Sequence, residues 1–279
     1  MKYLKKINLD DLWQKEQGWN EEKKSGRKFD DVKELSFWRQ LAPYYSDQFN
    51  LYRDIPGLKE KIFSIIGEGE SVIDLGCGTG NFTIPLAAQC NRLLALDFSP
   101  AMLFQLTKKI NEYQISNVSI RCTKWEDFNE PWEADYVLSV NSLYRVCYMG
   151  KALKKISEYG KKGFIIVRTL QQPLFSDIYE GLHLNYRRNN DYMLIPLFLW
   201  DMGFNAHVEY LNYTRTDIYE NMKQIKREMI DDLGEMSYMN FSHELKERFL
   251  QKSENLHKYK EEGFLYRSRR IVQVIWCKF

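Results

Sequence analysis

Long apolar runs are what this sequence most clearly lacks. The longest, YMLIPLFLW at 192–200, is far too short to cross a bilayer as a helix. Cysteine is present but never paired in sequence: Cys77, Cys90, Cys122, Cys147 and Cys277 stand singly, with no CxxC and an odd total. That pattern argues against a disulfide framework and reads as reduced thiols, small buried hydrophobes in a cytoplasmic protein. The four histidines, His183, His207, His243 and His257, show no metal-ligand spacing, so no metal is expected. An excess of one charge is missing as well. Lys plus Arg is 40 against 38 for Asp plus Glu, a net charge of +2, which gives no electrostatic footing for nucleic acid or an anionic membrane. The opening MKYLKKINLDDLWQ starts basic but turns acidic before any apolar stretch, unlike a signal peptide.

What is present is an ordered alternation. At 279 residues and 44% hydrophobic, the chain suits one large domain, or a domain with an elaborated lid. Residues 1–56 are polar with aromatic punctuation (Trp13, Trp19, Phe37, Trp38, Tyr44, Tyr45, Phe49, Tyr52) and read as an N-terminal helical lid segment. From residue 57, helical and strand patterns alternate. GLKEKIFSII carries Leu58, Ile62, Ile65 and Ile66 on one face, and SVIDL, RLLALD, NVSIRC, ADYVLSV and GFIIVRTL are short apolar strands between helices. Ser99 before Pro100 is a helix start. Strands apolar throughout and separated by helices predict a doubly wound α/β domain with a mostly parallel sheet, here over 57–279. AHVEYLNYT and RIVQVIWCKF read as late strands, and the stretch between them, about 216–262, as a helical insertion capping one end of the sheet. Within it Ile218, Met222, Ile225, Met229 and Leu233 have helical spacing, and SHELKERFLQKSENLHKY continues as helix.

In such a sheet ligands gather at the carboxyl ends of the strands, so the turn after the first strand, in VIDLGCGTGNF, is the place for a site. A phosphate-cradling P-loop needs GxxxxGK[ST], and no lysine follows here. A dinucleotide fingerprint needs GxGxxG, but Gly76, Gly78 and Gly80 give GxGxG with Asn81 where the third glycine belongs. Asp74 at the strand's end suits a ligand bringing an amine better than one bringing a pyrophosphate.

VIDLGCGTGNF closely resembles the first motif of the Rossmann-like methyltransferases that use S-adenosylmethionine. LLALDFSPAML, CTKWEDF and ADYVLSVNSLYRV resemble the second, third and fourth motifs, and FWRQLAPYYSD resembles the Trp-xxx-Ala-xx-Tyr segment of many small-molecule methyltransferases. The resemblance implies S-adenosylmethionine as cofactor and assigns residues to it. Asp74 and the Gly76, Cys77, Gly78, Gly80 turn would hold the methionine end, Asp97 both ribose hydroxyls, and Phe98 and Met102 the adenine pocket. Trp125 would stack on adenine, Glu126 or Asp127 would accept from its amine, and Asn141 to Tyr144 would reach the methyl donor. Tyr45 would contact the cofactor, and Tyr45 and Tyr144 would face its cationic sulphur.

Each assignment has a plainer alternative. Trp125 also suits a core, and Cys77 has no histidine near in sequence to make it a nucleophile. Arg187 and Arg188 suit a solvated surface, and His207 a structural role. Tyr144 and His183 are the substrate candidates, and no residue is marked as a general base. The aromatic termini suggest an enclosed apolar pocket and hence a small apolar or aromatic acceptor. Two further readings stay open. One is a macromolecular methyltransferase with Lys151, Lys154, Lys155, Lys161 and Lys162 as its footprint; the other is a non-catalytic S-adenosylmethionine-binding protein.

Overall fold

A computed structural model describes residues 7–19, 26–48, 54–170, 173–186, 190–256 and 263–279. Phe49, Tyr52, Arg187, Arg188 and His257 lie outside the described residues. The chain divides into two compact units. One comprises Met1–Thr169, Asn190–Leu211 and Val272–Phe279, and the other Leu170–Asn189 and Asn212–Ile271.

The first unit is built on β1 (Ser71–Leu75), β2 (Arg92–Asp97), β3 (Val118–Cys122), β4 (Ala134–Val140), β5 (Gly160–Thr169), the start (to Leu211) of β6 (His207–Tyr219) and the end (from Val272) of β8 (Gly263–Lys278). Their order is β3-β2-β1-β4-β5-β8-β6. Pairing is parallel from β3 through β5, and β8 runs antiparallel to β5 from Gly163↔Lys278 to Thr169↔Val272. Val72, Ile73, Leu94, Val137, Leu138, Ile165 and Ile166 are fully buried, as strands covered on both faces must be. β3 departs from the expectation of strands apolar throughout. It is the edge strand, pairs with β2 alone, and is half-exposed along its length.

Local chemistry sets the crossovers. The Pro100–Glu112 helix starts where expected, with Ser99 Oγ accepting from the Met102 amide at 3.4 Å and Pro100 in the first turn. Before β3, the Asn117 amide nitrogen donates to the carbonyls of Ala87 and Cys90, both at 2.8 Å, tying that crossover down. All five cysteines are free thiols. Among the described residues no helix is long and apolar enough to cross a membrane.

The N-terminal Leu9–Gln17 helix is part of this unit. Asn8 caps it by accepting from the Asp10 and Asp11 amides, and Gly18 closes it at φ 73°. Its Trp13 is fully buried in the main core, and its indole N–H donates to the Val146 carbonyl at 2.6 Å. Gln17 donates to Asp191, which also takes the buried Arg168 guanidinium at 2.5 Å, so two elements distant in sequence meet through one carboxylate.

The second unit has its own core of Phe175, Ile178, Tyr179, Tyr219, Ile225, Met229, Leu245, Phe249, Phe264 and Tyr266. Its phenols end on carboxylates: Tyr179 donates to Asp232 at 2.8 Å, Tyr219 to Glu228 at 2.8 Å, and Tyr266 to Asp177. Two sequence expectations are corrected here. Ile218 is not on the helix; β6 runs on to Tyr219, and the helix begins at Met222 with Asn221 accepting from the next amides. The stretch from Ser242 is helical only to Lys252. Ser253 turns extended, and Ser253–Leu256 (β7) pairs antiparallel with Gly263–Tyr266 of β8, whose free edge offers a hydrogen-bonding partner that the helical pattern did not reveal.

Replacing Trp13 by alanine is expected to cost about 3–5 kcal/mol of stability, the scale for deleting a large buried aromatic, and urea unfolding of both proteins measures it.

Candidate active site

Strand order reverses between β1 and β4, and the loops leaving these strands meet there at their carboxyl ends. Gly76 adopts φ +71°, and a Cβ on it would lie 2.2 Å from Ser142 Cβ, so the turn after β1 packs directly on the loop after β4. The amides of Gly76 and Cys77 donate to the Leu96 carbonyl at 2.7 and 2.9 Å, fastening the same turn to β2. From the other side Lys109 donates to the Thr79 carbonyl and to Ser46, which itself meets Thr79 and Asn81.

Asp97 ends β2 beside this turn. One carboxylate oxygen accepts from the Gly78 amide at 2.9 Å and the other from the Ser99 amide at 2.8 Å. Burial raises its pKa above the ordinary carboxylate range, the backbone amides of Ser99, Gly78 and Phe98 oppose that shift, and the neighbouring Glu34 carboxylate adds to it. Each oxygen keeps a further acceptor position. Beneath the turn, Asp74 is fully buried and accepts from the Thr83 hydroxyl at 2.6 Å. Burial, opposed by that bond and assisted by Asp97, pushes its carboxyl up to about 7.

Around Asp97 the chain forms a partly open cavity of about 660 Å³. It brings together Tyr45, Gly76, Gly78, Asp97, Phe98, Met102, Trp125, Glu126, Asn141 and Tyr144 of the sequence candidates. Asp74, Cys77, Gly80 and Asp127 do not line it. Cys77 is buried, with burial and the Asp97 and Asp74 carboxylates raising its thiol pKa, and Gly80 packs on Leu106. His183 is an exposed residue of the second unit. Trp125 is nearly buried, stacks on Phe128 and donates to the Ala152 carbonyl at 3.3 Å, so it serves the core and the cavity wall together. Asn141, at φ 52°, exchanges side-chain bonds with Thr169 at 2.7 and 2.9 Å, pinning the β4 loop to β5.

Sequence reasoning named the N-terminal aromatic segment as a lid without assigning its side chains before Tyr45 to the cavity. Trp19, Phe29, Val32 and Trp38 line the cavity. Asp31 reaches across to Lys124 and, at 2.6 Å, to Arg145, whose guanidinium lies 4.9 Å from the centre of the Phe98 ring. The hydrogen bonds from these two cations hold the Asp31 carboxyl below its ordinary pKa, against the opposing effect of burial. Behind the wall, Glu34 accepts from Trp38 Nε1 at 2.7 Å and from the Tyr144 hydroxyl. The available signal was an acid one helical turn before Trp38.

The residues present fit S-adenosylmethionine. A diol matches the spare acceptor positions of Asp97, Phe98 and Met102 are faces for adenine, and a Cβ on Gly78 would find only Tyr45, at 3.9 Å, so the turn leaves room for a ligand against its backbone.

The fold and cavity define a doubly wound α/β protein whose cavity lies at the switch point. Comparison narrows the class. A family model described as a methyltransferase domain matches residues 66–233, more than half of the chain. The chain therefore belongs to the S-adenosylmethionine-dependent methyltransferase family. A Haemophilus influenzae protein of uncharacterized function is 24% identical over 172 residues, 60% of this chain and 63% of its own length. A tRNA/tmRNA (uracil-C(5))-methyltransferase of Acinetobacter baylyi is 30% identical over 71 residues, 25% of this chain and 20% of that protein. The chain thus spans less than two thirds of these relatives. The crystal structure of a Bacillus halodurans protein provisionally named a methyltransferase shares the fold, with a TM-score of 0.50 at 15% identity, covering 78% of this chain and 97% of that one.

Asp74 gives a pH-dependent expectation. Its folded pKa is raised from 3.8 to about 7, so the folded state holds a proton that the unfolded chain has released across that window, and stability falls as pH rises through it. Without cofactor, the wild type should lose on the order of 2 kcal/mol more than Asp74→Asn between about pH 5 and pH 8. Urea unfolding of both proteins at the two pH values measures the difference, and parallel losses would remove Asp74 as its source.

Proposed function

We propose that this chain transfers a methyl group from S-adenosylmethionine to a small apolar or aromatic acceptor bound in the same cavity. The observation that carries the reading is the set of aromatic side chains, Trp19, Phe29, Trp38, Tyr45 and Tyr144, lining the same cavity of about 660 Å³ as Asp97 at the end of β2. That is the size of a small-molecule site with a few polar groups in apolar surroundings.

S-adenosylmethionine, when bound, supplies an electrophilic methyl on a cationic sulphur. Asp97 would take the ribose hydroxyls, Phe98, Met102 and Trp125 would flank the adenine, Glu126 would accept from its amine, and the Gly76–Gly78 backbone would receive the methionine end. The wall of Trp19 and residues 26–38, latched by Asp31, would exclude water and hold the acceptor in line. Aromatic faces of Tyr45 and Tyr144 would favour a cationic sulphur by roughly 0.5–2 kcal/mol each.

A macromolecular acceptor is the second reading, favoured by the short match to a tRNA/tmRNA methyltransferase. Against it, three of the five surface lysines expected to form a basic footprint are engaged. Lys162 pairs with Glu70 at 2.6 Å and Asp135 at 3.2 Å, Lys154 with Glu158 at 3.8 Å, and Lys155 donates to the Trp125 and Glu126 carbonyls. The five free thiols support a reducing, cytoplasmic setting.

Titration calorimetry with S-adenosylmethionine, S-adenosylhomocysteine and NAD in parallel tests the site. The first two should bind and NAD should not. Asp97→Ala should weaken their binding by about 2 kcal/mol, roughly 30-fold, the scale of lost charge-assisted hydrogen bonds. Unchanged affinity in a folded variant would refute the ribose assignment.

A further inference from the structure

Lys109 stands in the last turn of the Pro100–Glu112 helix, half-buried, and none of the cofactor assignments uses it. Its ammonium group donates to the Thr79 carbonyl at 2.9 Å and to Ser46 Oγ at 2.5 Å. Ser46 in turn donates to Asn81 Oδ1 at 2.9 Å and lies 2.6 Å from the Thr79 hydroxyl. A hydroxyl has one proton and two lone pairs. With its proton given to Asn81, Ser46 accepts from both Lys109 and Thr79, and its bonding capacity is filled.

This cluster joins two segments that meet at the cavity. Ser46 follows Tyr45 and Thr79 follows Gly78. Tyr45 and Gly78 line the cavity, whereas Ser46, Thr79 and Lys109 do not. The Tyr45–Gln48 helix is a single turn of 4 residues, too short to be stable through its own hydrogen bonds. Its place therefore depends on what its side chains meet. Tyr45 packs edge-on against Trp38 with ring centres 5.7 Å apart, and its Cε1 lies 3.9 Å from where a Cβ on Gly78 would stand. The Asp97 carboxylate is near enough to add to the rise that burial causes in the Tyr45 pKa. The ring thus lies between the aromatic wall and the glycine turn, beside the acid assigned to the ribose. Through Ser46, Lys109 fixes the neighbouring residue to the turn itself.

We propose that Lys109, acting through Ser46, is a positioning residue that holds Tyr45 against the glycine turn, a clamp outside the cavity that sets how tightly the cavity retains its cofactor. The proposal rests on the methyltransferase reading above. A contact ordered before the ligand arrives spares the ligand the cost of ordering it. Without the clamp, part of the cofactor's binding energy goes into fixing Tyr45, and affinity falls accordingly.

A double-mutant cycle, read by titration calorimetry with S-adenosylhomocysteine, tests this. Lys109→Met should weaken binding about fivefold or more and Ser46→Ala about threefold or more, the scale of one or two lost hydrogen bonds. Tyr45→Ala should weaken it at least as much as Lys109→Met. Once Tyr45→Ala is present, adding either of the other substitutions should change affinity by less than about twofold, because the group they position is gone. A merely structural role, in which Lys109 only shapes the glycine turn through the Thr79 carbonyl, would cost the same factor in both backgrounds and would overturn the proposal. Unchanged affinity in folded Lys109→Met and Ser46→Ala overturns it as well, as does unchanged affinity in Tyr45→Ala. Circular dichroism establishes folding; where Lys109→Met does not fold, the smaller change Ser46→Ala decides between the same outcomes. Failure of wild type to bind S-adenosylhomocysteine is a different result, which removes the cofactor reading and the clamp's role with it.

Discussion

The approach of Gly76 to Ser142, at a distance a side chain on Gly76 would not permit, brings the loop after β1 against the loop after β4. The rest of the cavity depends on it. With those loops in contact, the amides of Gly76 and Cys77 reach the Leu96 carbonyl, Gly78 reaches the Asp97 carboxylate, and Asn141 is carried to Thr169 on β5. The strand ends are thereby joined through backbone groups together with the short side chains of Asp97, Asn141 and Thr169. A site made this way needs little side-chain ordering when a ligand arrives, which is where preorganised sites gain affinity.

Charge is arranged differently on the two sides of the cavity. On the glycine-turn side two buried acids, Asp97 and Asp74, are stabilised by amides and a hydroxyl, with both pKa values raised by burial. On the side of residues 26–38 the acids meet cations or neutral donors, Asp31 with Lys124 and Arg145, Glu34 with Trp38, Tyr144 and Arg27. The first arrangement favours a ligand that brings positive charge or hydroxyl donors. The second fastens a helix in place, at the rim through the Asp31 ion pairs and in the interior through Glu34, which meets neutral donors and Arg27.

Legibility in the sequence followed the range of the forces involved. The turn glycines, Asp97 at a strand end and the Ser99-Pro100 helix start are local patterns, and each was readable. β7 was not, because four residues continuing a helical pattern carry no signal of a partner strand. Ile218 misled because a strand with a half-exposed face can coincide with helical spacing for a few residues. Glu34 was invisible for another reason. On an amphipathic helix with several acids, only tertiary packing decides which one is taken out of water, and here the partner lies 110 residues away at Tyr144.

The position of β8 in the sheet also has a bearing on how the protein is made. Every residue lining the cavity falls between Trp19 and Cys147, yet the strand that covers the β5 edge comes from Val272–Lys278. During synthesis the whole binding half emerges while β5 still presents an unpaired, strongly apolar edge, the kind of surface that recruits other chains. β6 is made earlier but sits beyond β8 in the order, so it has no neighbour in this sheet until the last strand inserts. Closure is thus a late, long-range event, and such pairings are slow. The nascent protein passes through a stage in which its site is formed before its sheet is safe.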